Sequence, residues 1–170
     1  REQVTSQKQF NSTNMIQASS WCFNKNINLE EALGWAQKAI SGFQGQKSFP
    51  SMRNLAVGYE KLNQLQQADS VMNEALTLAN PNQYTGYARA LITAKRFDKA
   101  LEVMQASQKK NGDVFPVNNG LMYAYSSKLD FKDALKHAKK AFAQAPNEAA
   151  KKQIESFITK LKDGKDINQQ

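Results

Sequence analysis

The chain has 170 residues, of which 41% are hydrophobic and 22% charged, and this composition is ordinary for a globular protein with one sizeable core. No stretch approaches the roughly 18 consecutive apolar residues of a membrane-spanning helix, so the sequence predicts no such helix. The formal net charge of +8 permits, without requiring, attraction to acidic partners, nucleic acid or an anionic membrane. The single cysteine, Cys22, excludes an intrachain disulfide and a thiolate metal cluster.

A four-residue motif recurs along the chain, in which an apolar or aromatic residue is followed three positions later by alanine. It occupies residues 29–32, 65–68, 97–100 and 131–134. Successive motif alanines are 36, 32 and 34 residues apart. A period of about 34 residues with helical patterning inside it predicts stacked helix-turn-helix repeats.

In chain order, the pattern predicts four repeats of two helices each, over residues 11–48, 49–80, 81–114 and 115–146. The predicted helices span residues 11–24 and 29–42, 49–62 and 65–79, 82–94 and 96–110, and 116–127 and 131–145. A further helix over 147–162 carries one apolar stripe, and such a one-sided helix can cover the open end of a helical solenoid. The first ten residues are too polar for an assignment, and we expect the polar tail, 163–170, to fray.

Local signals agree with these helix starts. Pro50, Pro81 and Pro116 lie just before or inside a predicted first turn, where a missing amide hydrogen costs nothing, and Pro146 precedes the last helix. Asn28 is expected to act as the N-cap of the second helix. Asp130 is expected to cap the eighth helix, where its charge also favours the positive end of the helix dipole.

The repeated residues resemble those of the tetratricopeptide repeat family. The fourth repeat matches best, the second and third match well, and the first is degenerate because serines occupy its large–small pair. The matching residues of the fourth repeat are Leu121, Tyr125, Phe131, Ala134, Ala138, Ala141 and Pro146. The resemblance implies an all-α fold: a right-handed α-solenoid of about four helix pairs plus a C-terminal capping helix, over residues 11–162.

A narrower resemblance concerns residues 28–36, 143–148 and 164–168. These stretches are similar to the C-terminal half of an uncharacterised bacterial family that carries an N-terminal β-rich domain of unknown function and typically an export signal. Because the chain begins at Arg1, without either feature, we expect it to be a fragment of a longer protein. The resemblance then implies a periplasmic or envelope-associated location; without it, a cytoplasmic location is expected.

The sequence contains no recognisable catalytic constellation. The only histidine, His137, has lysines at 136, 139 and 140, so we interpret it as an exposed surface residue. Cys22 is expected to be a small buried apolar residue, placed too far along the solenoid to form a nucleophile–base pair with His137. No phosphate-binding loop, dinucleotide fingerprint or metal-ligand spacing is present. We therefore expect no enzyme activity, no cofactor and no metal.

The resemblance implies a binding surface instead. In the tetratricopeptide family the first helix of each repeat lines the concave face of the solenoid, and its outward positions contact the ligand. The repeat register assigns to this groove the residues Gln17, Trp21, Arg53, Arg89, Asn119 and Tyr123. Tryptophan, tyrosine and arginine are favoured binding anchors. The same register does not reproduce the basic clamp of chaperone-binding members, which makes a chaperone-tail adaptor unlikely.

These observations favour a non-enzymatic scaffold that binds a peptide or partner domain in its concave groove. One alternative is a structural role, in which the repeats dock onto another part of a larger protein or self-associate. Nucleic-acid binding is a weaker alternative, because residues 128–165 carry ten lysines and five acidic residues but no basic strip interleaved with aromatics. The identity of the partner is not encoded in any motif.

Overall fold

The computed structural model describes residues 11–41 and 45–169, and every regular element in these ranges is an α-helix. The helices are α1 (Ser12–Lys25), α2 (Leu29–Ser41), α3 (Phe49–Lys61), α4 (Leu65–Leu78), α5 (Pro81–Thr93), α6 (Phe97–Asn111), α7 (Phe115–Ser127), α8 (Phe131–Ala143) and α9 (Glu148–Lys162). The predicted helices agree with these bounds to within two residues, and the predicted all-α repeat fold is confirmed. Two predicted features, the segment 1–10 and the helix stop at Gly42, lie outside the described residues.

The motif alanines explain how the two helices of each repeat pack. Ala32, Ala100 and Ala134 are fully buried, and Ala68 is nearly so. A methyl group at this position lets the second helix lie close against the first, since a larger side chain would hold the two apart. The motif alanine therefore recurs in the sequence because the same close contact between two helices recurs in each repeat.

Side-chain caps fix several helix starts. Ser48 caps α3 and Asn80 caps α5, and each cap residue also donates its backbone N–H to the side chain three positions on. Asp130 accepts a hydrogen bond from the backbone N–H of Asp133, as predicted. Asn28 directly precedes α2, and its carbonyl accepts from the Ala32 N–H at 2.9 Å, but its φ of 47° is left-handed, whereas an N-cap residue normally adopts an extended backbone.

The chain divides into two compact units, residues 1–79 and residues 80–170. In the N-terminal unit α1 packs on α2 and α3, and α3 packs on α4. Phe23, Leu33 and Leu55 form the centre of its core together with Cys22. In the C-terminal unit α5 packs on α6 and α7, α7 packs on α8, and α8 packs on α9. Leu121, Met122 and Ile154 are among its most deeply buried side chains.

Candidate functional site

His137 is buried, so the interpretation of this residue as an exposed surface histidine was wrong. Its side chain is 5% exposed, and its ring stacks on Tyr125 at 5.5 Å between centroids. Its Nδ1 lies 2.9 Å from Oδ1 of Asn118. The spacing could have revealed this: residue 137 falls between Ala134 and Ala141, on the same helix face as these buried alanines, although lysines flank it in sequence.

A hydrogen-bond network accounts for the position of this ring. The Asn118 Nδ2 donates to Asp113 Oδ1 at 2.8 Å and to Gln144 Oε1 at 2.9 Å. Its Oδ1 is thus left as the acceptor for an Nδ1–H of the histidine. Burial lowers the pKa of His137, and nearby Lys140 lowers it further. A neutral histidine held between two helices is a structural element of the α7–α8 pair.

Cys22 is also a structural residue, as expected. Its side chain is buried among the core residues of the N-terminal unit. Burial is the main cause that raises the pKa of its thiol, and the charge of Glu31 adds to the effect. A thiol with a raised pKa carries little of the reactive thiolate form at neutral pH. Over residues 11–41 and 45–169, no three His, Cys, Asp or Glu side chains are grouped so that they could hold a metal ion.

The predicted groove residues fall in both units and differ in exposure. In the N-terminal unit Gln17, Trp21 and Arg53 are exposed, Trp21 to 55%. In the C-terminal unit Arg89 is exposed and Asn119 is half-buried, whereas Tyr123 is only 6% exposed. The C-terminal unit brings two of them into contact, because the guanidinium carbon of Arg89 lies 4.7 Å from the centroid of the Tyr123 ring.

A cleft of about 650 Å³ opens beside this arginine–tyrosine pair, entirely within the C-terminal unit. Helices α5, α7 and α9, the first residue of α6, the turn after α5 and the C-terminal tail all contribute to its walls. Its apolar side chains include Ile92, which is buried, and Phe157, which meets Tyr123 edge-on at 5.6 Å. The volume lies within the range of about 300–1,000 Å³ that is usual for ligand sites.

The tail forms one wall of the cleft, contrary to the expectation that it frays. The Ser126 hydroxyl donates to Asp166 Oδ1 at 2.7 Å and accepts from the Ile167 N–H at 3.0 Å. The Asn168 Nδ2 donates to the Tyr123 carbonyl at 3.1 Å, and the Ile167 side chain is buried. These bonds join segments about 40 residues apart, so no local sequence pattern predicts them. The one relevant signal is an isoleucine inside an otherwise polar segment.

Positive charge dominates the rim of the cleft. Arg89 lies on α5, Lys160 lies on α9, and Lys95 lies in the turn after α5, where its φ is 59°. Asp166 is the carboxylate among the lining residues. Burial raises the pKa of Tyr123, which Arg89 partly opposes, so this phenol stays neutral and acts as an apolar support for the guanidinium.

No protein-family model and no curated protein matches the sequence. Solved structures of MamA are similar in fold. MamA AMB-1 is 14% identical, with a TM-score of 0.46 over 90% of this chain and 85% of that chain. MamA MSR-1 is 14% identical, with a TM-score of 0.46 over 90% of this chain and 95% of that chain. A MamA point mutant is 15% identical, with a TM-score of 0.48 over 90% of this chain and 88% of that chain. At this level of similarity no binding property transfers from MamA to this chain.

In the part of the chain that the structure describes, none of the helices has the length and apolar character needed to cross a membrane.

Proposed function

We propose that the chain is a non-enzymatic protein-interaction module, and that the cleft of the C-terminal unit holds a peptide segment of its partner. The observation that carries this proposal is the cleft itself, in which the Arg89–Tyr123 pair lies at the edge of an apolar floor. Aromatic and arginine side chains in a concave site are the residues that most often anchor a protein partner. A cleft lined by four helices and a bonded tail is a pre-formed site, which reduces the entropy lost on binding.

The other predicted groove residues stay part of the proposal. Gln17, Trp21 and Arg53 present exposed side chains in the N-terminal unit, and Asn119 is half-buried on α7. They remain predicted contact residues, each within its own unit. Substituting Arg53 by alanine tests this separately, because Arg53 does not line the cleft.

The experiment is a selection of random peptides displayed on phage against the purified chain, repeated with a blocked cleft. Thr93 is an exposed cleft residue, and Thr93→Trp places a bulky ring in the opening. Thr77→Trp is the matched control, since Thr77 is also exposed near a helix end, in the N-terminal unit, and its hydroxyl also donates to a carbonyl of its own helix. We expect the unmodified chain and Thr77→Trp to select and bind the same peptides.

Thr93→Trp is expected to weaken that binding by about tenfold or more, which corresponds to about 1.4 kcal/mol. Far-UV circular dichroism and a urea melt confirm that each variant is folded. The proposal is abandoned if no peptide is enriched, or if Thr93→Trp binds the selected peptides as tightly as Thr77→Trp does.

A further inference from the structure

We infer that the segment bound in the cleft is acidic, with Asp or Glu side chains next to an apolar residue. This inference rests on the proposed peptide-binding function and names the chemistry of the ligand. The cleft combines an apolar floor with a cationic rim, and a ligand that satisfies both must carry negative charge and an apolar side chain close together. Three observations support this: the state of the cations, the state of the carboxylate and the support of Arg89.

The cations of the rim are available to a ligand. Arg89, Lys95 and Lys160 are exposed, and none of them forms an ion pair with a side chain in residues 11–41 or 45–169. Elsewhere in the same unit Lys128 and Lys140 each lie against an aspartate. A carboxylate brought into the cleft therefore gains attraction without displacing an existing ion pair.

The carboxylate of the rim is already used. Asp166 Oδ1 accepts from the Ser126 hydroxyl at 2.7 Å, from the Asn168 backbone N–H at 3.0 Å and from the Asn168 Nδ2 at 2.7 Å. These bonds hold the tail on α7. Asp166 therefore has a structural role in the tail. Its single negative charge offsets one of the three positive charges, so the rim keeps a net positive charge.

Arg89 is held in place before a ligand arrives. Its guanidinium lies over the Tyr123 ring, and the ring is fixed by burial and by its edge contact with Phe157. An arginine supported by an aromatic face keeps its N–H donors free for a carboxylate. Restricting the side chain in advance lowers the entropy cost of the ion pair.

The same geometry disfavours a nucleic acid, although it too is an anion. Proteins that bind single strands stack the bases on exposed aromatic rings. The Tyr123 ring has Arg89 over one face and Phe157 against it, and it is 6% exposed. Phe157 and Phe97 are half-buried in the cleft walls, which suits an aliphatic or aromatic side chain of a peptide.

The test first measures the amino-acid composition of the selected peptides. It then removes the charges of the peptide and, separately, those of the cleft. Peptides enriched by the full chain are expected to contain more Asp and Glu than the unselected library does. The best binder is synthesised with both ends blocked, so that a terminal carboxylate cannot contribute. A second version carries Asn and Gln in place of its Asp and Glu, and this version is expected to bind at least tenfold more weakly at low salt.

On the protein side, the cleft cations are compared with other cations of the same unit. The cleft variant combines Arg89→Gln, Lys95→Gln and Lys160→Gln. The control variant loses the same net charge at exposed lysines that do not line the cleft, through Lys132→Gln, Lys139→Gln and Lys152→Gln. Because each exposed ion pair contributes modestly and the cleft variant loses three of them, we expect about a tenfold loss of affinity in the cleft variant and roughly a twofold loss in the control.

The possible failures are distinguishable. If peptides are selected and are sensitive to Thr93→Trp, but are not enriched in acidic residues, the proposed function stands and this inference is wrong. An equal loss in the cleft and control variants also overturns it, because the effect is then one of overall charge. So does a single-stranded oligonucleotide that competes for the cleft and binds it more tightly than the acidic peptide.

Discussion

Gly58 lies where helix α3 passes the ring of Phe23 in the N-terminal unit. A Cβ atom at this position would be 2.5 Å from Phe23 Cζ and 3.0 Å from Leu33 Cδ1. Phe23 is 1% exposed, so its ring has nowhere to move without disturbing the core. The absence of a side chain at residue 58 is therefore a packing requirement.

We expect Gly58→Ala to lower the free energy of unfolding by about 1–3 kcal/mol through overpacking. Urea denaturation followed by circular dichroism measures the change. Gly34→Ala is the matched control, because Gly34 is helical in the same unit and a Cβ there would meet nothing within 4 Å. Its expected effect is neutral or a gain of up to about 1 kcal/mol from helix propensity. A stabilising Gly58→Ala would contradict the packing argument.

At the residue scale, structure could be predicted firmly only where a local rule applies. The buried alanines follow from their spacing, and the Asp130 cap follows from its place before an apolar run. The prediction that His137 is exposed was wrong because it followed from the neighbouring lysines, whereas the position of His137 on the buried face of α8 decides its exposure. The left-handed φ of Asn28 was not predictable, because an asparagine suits both an extended cap and a left-handed turn, and the sequence does not decide between them.

At the scale of elements, the His137 network couples helices α7 and α8 to the loop before α7. Asp113 in that loop accepts from Asn118 Nδ2 and from Lys140 Nζ, and these two hydrogen bonds lower the pKa of its carboxyl. His137 bonds to the same asparagine and has a lowered pKa, chiefly because it is buried. Both groups therefore prefer the protonation state they have at neutral pH.

We expect the stability of the C-terminal unit to fall as the pH drops in two stages. In the unfolded chain histidine has a pKa of about 6.5, above its folded value, so below that pH the unfolded state takes up the proton first and the folded state loses stability. Asp113 acts in a lower window: its contribution is present above the unfolded pKa of about 3.9 and is lost as the pH falls through its lower folded value.

Urea midpoints of the unmodified chain and of His137→Gln, measured between pH 4 and 8, test the first stage. The variant removes the titrating ring but keeps a side-chain donor for Asn118. Its midpoint is expected to change less than that of the unmodified chain between about pH 7 and pH 5, the range around the unfolded pKa of histidine. If the urea midpoints of the two proteins change in parallel over this pH range, the loss of stability comes from a group other than His137.

The backbone conformation of the turns between helices could not be predicted from the repeat period. The turns that follow α3, α5 and α7 each contain one residue with a left-handed φ near 60°: Asn63, Lys95 and Leu129. In each turn the backbone N–H of the next residue then donates back to the helix, as that of Asp130 does to the Tyr125 carbonyl at 3.0 Å. Lysine and leucine give no sign of this conformation, since both rarely adopt it. The turn places Lys95 at the cleft, so the position of Lys95 in the site could not be predicted from the sequence pattern.

For the whole molecule, the repeat period was sufficient to predict the all-α fold and the helix bounds. The period fixes which faces are buried, and burial of those faces is what stabilises a repeat protein. The candidate site was only partly predictable. The register proposed Arg89 and Tyr123, which lie in the cleft, but the tail, Lys95 and Lys160 reach it through contacts that are distant in sequence or set by a turn.

The single buried thiol makes the opening of the N-terminal unit measurable without an introduced probe. Cys22 is 4% exposed, so a thiol reagent labels it only when the structure around it opens. In Gly58→Ala the labelling rate is expected to rise by roughly tenfold for each 1.4 kcal/mol of lost stability. Leu121→Ala destabilises the C-terminal unit, by about 2–5 kcal/mol for a fully buried leucine, and is expected to leave the rate near that of the unmodified chain.

That comparison shows whether the two compact units open separately. Equal acceleration by Gly58→Ala and Leu121→Ala would mean that the chain opens as a whole. Labelling of the native chain at the rate of an unfolded one would contradict the burial of Cys22.

The bonded tail has a practical consequence for anyone who handles this protein. Gln169 lines the cleft, so a purification tag or fluorescent reporter fused behind the tail begins at the cleft mouth. A tag rich in Asp or Glu there would gain a high local concentration next to the Arg89–Tyr123 pair and compete with weak ligands. Immobilising the protein through that end would also turn the cleft towards the support.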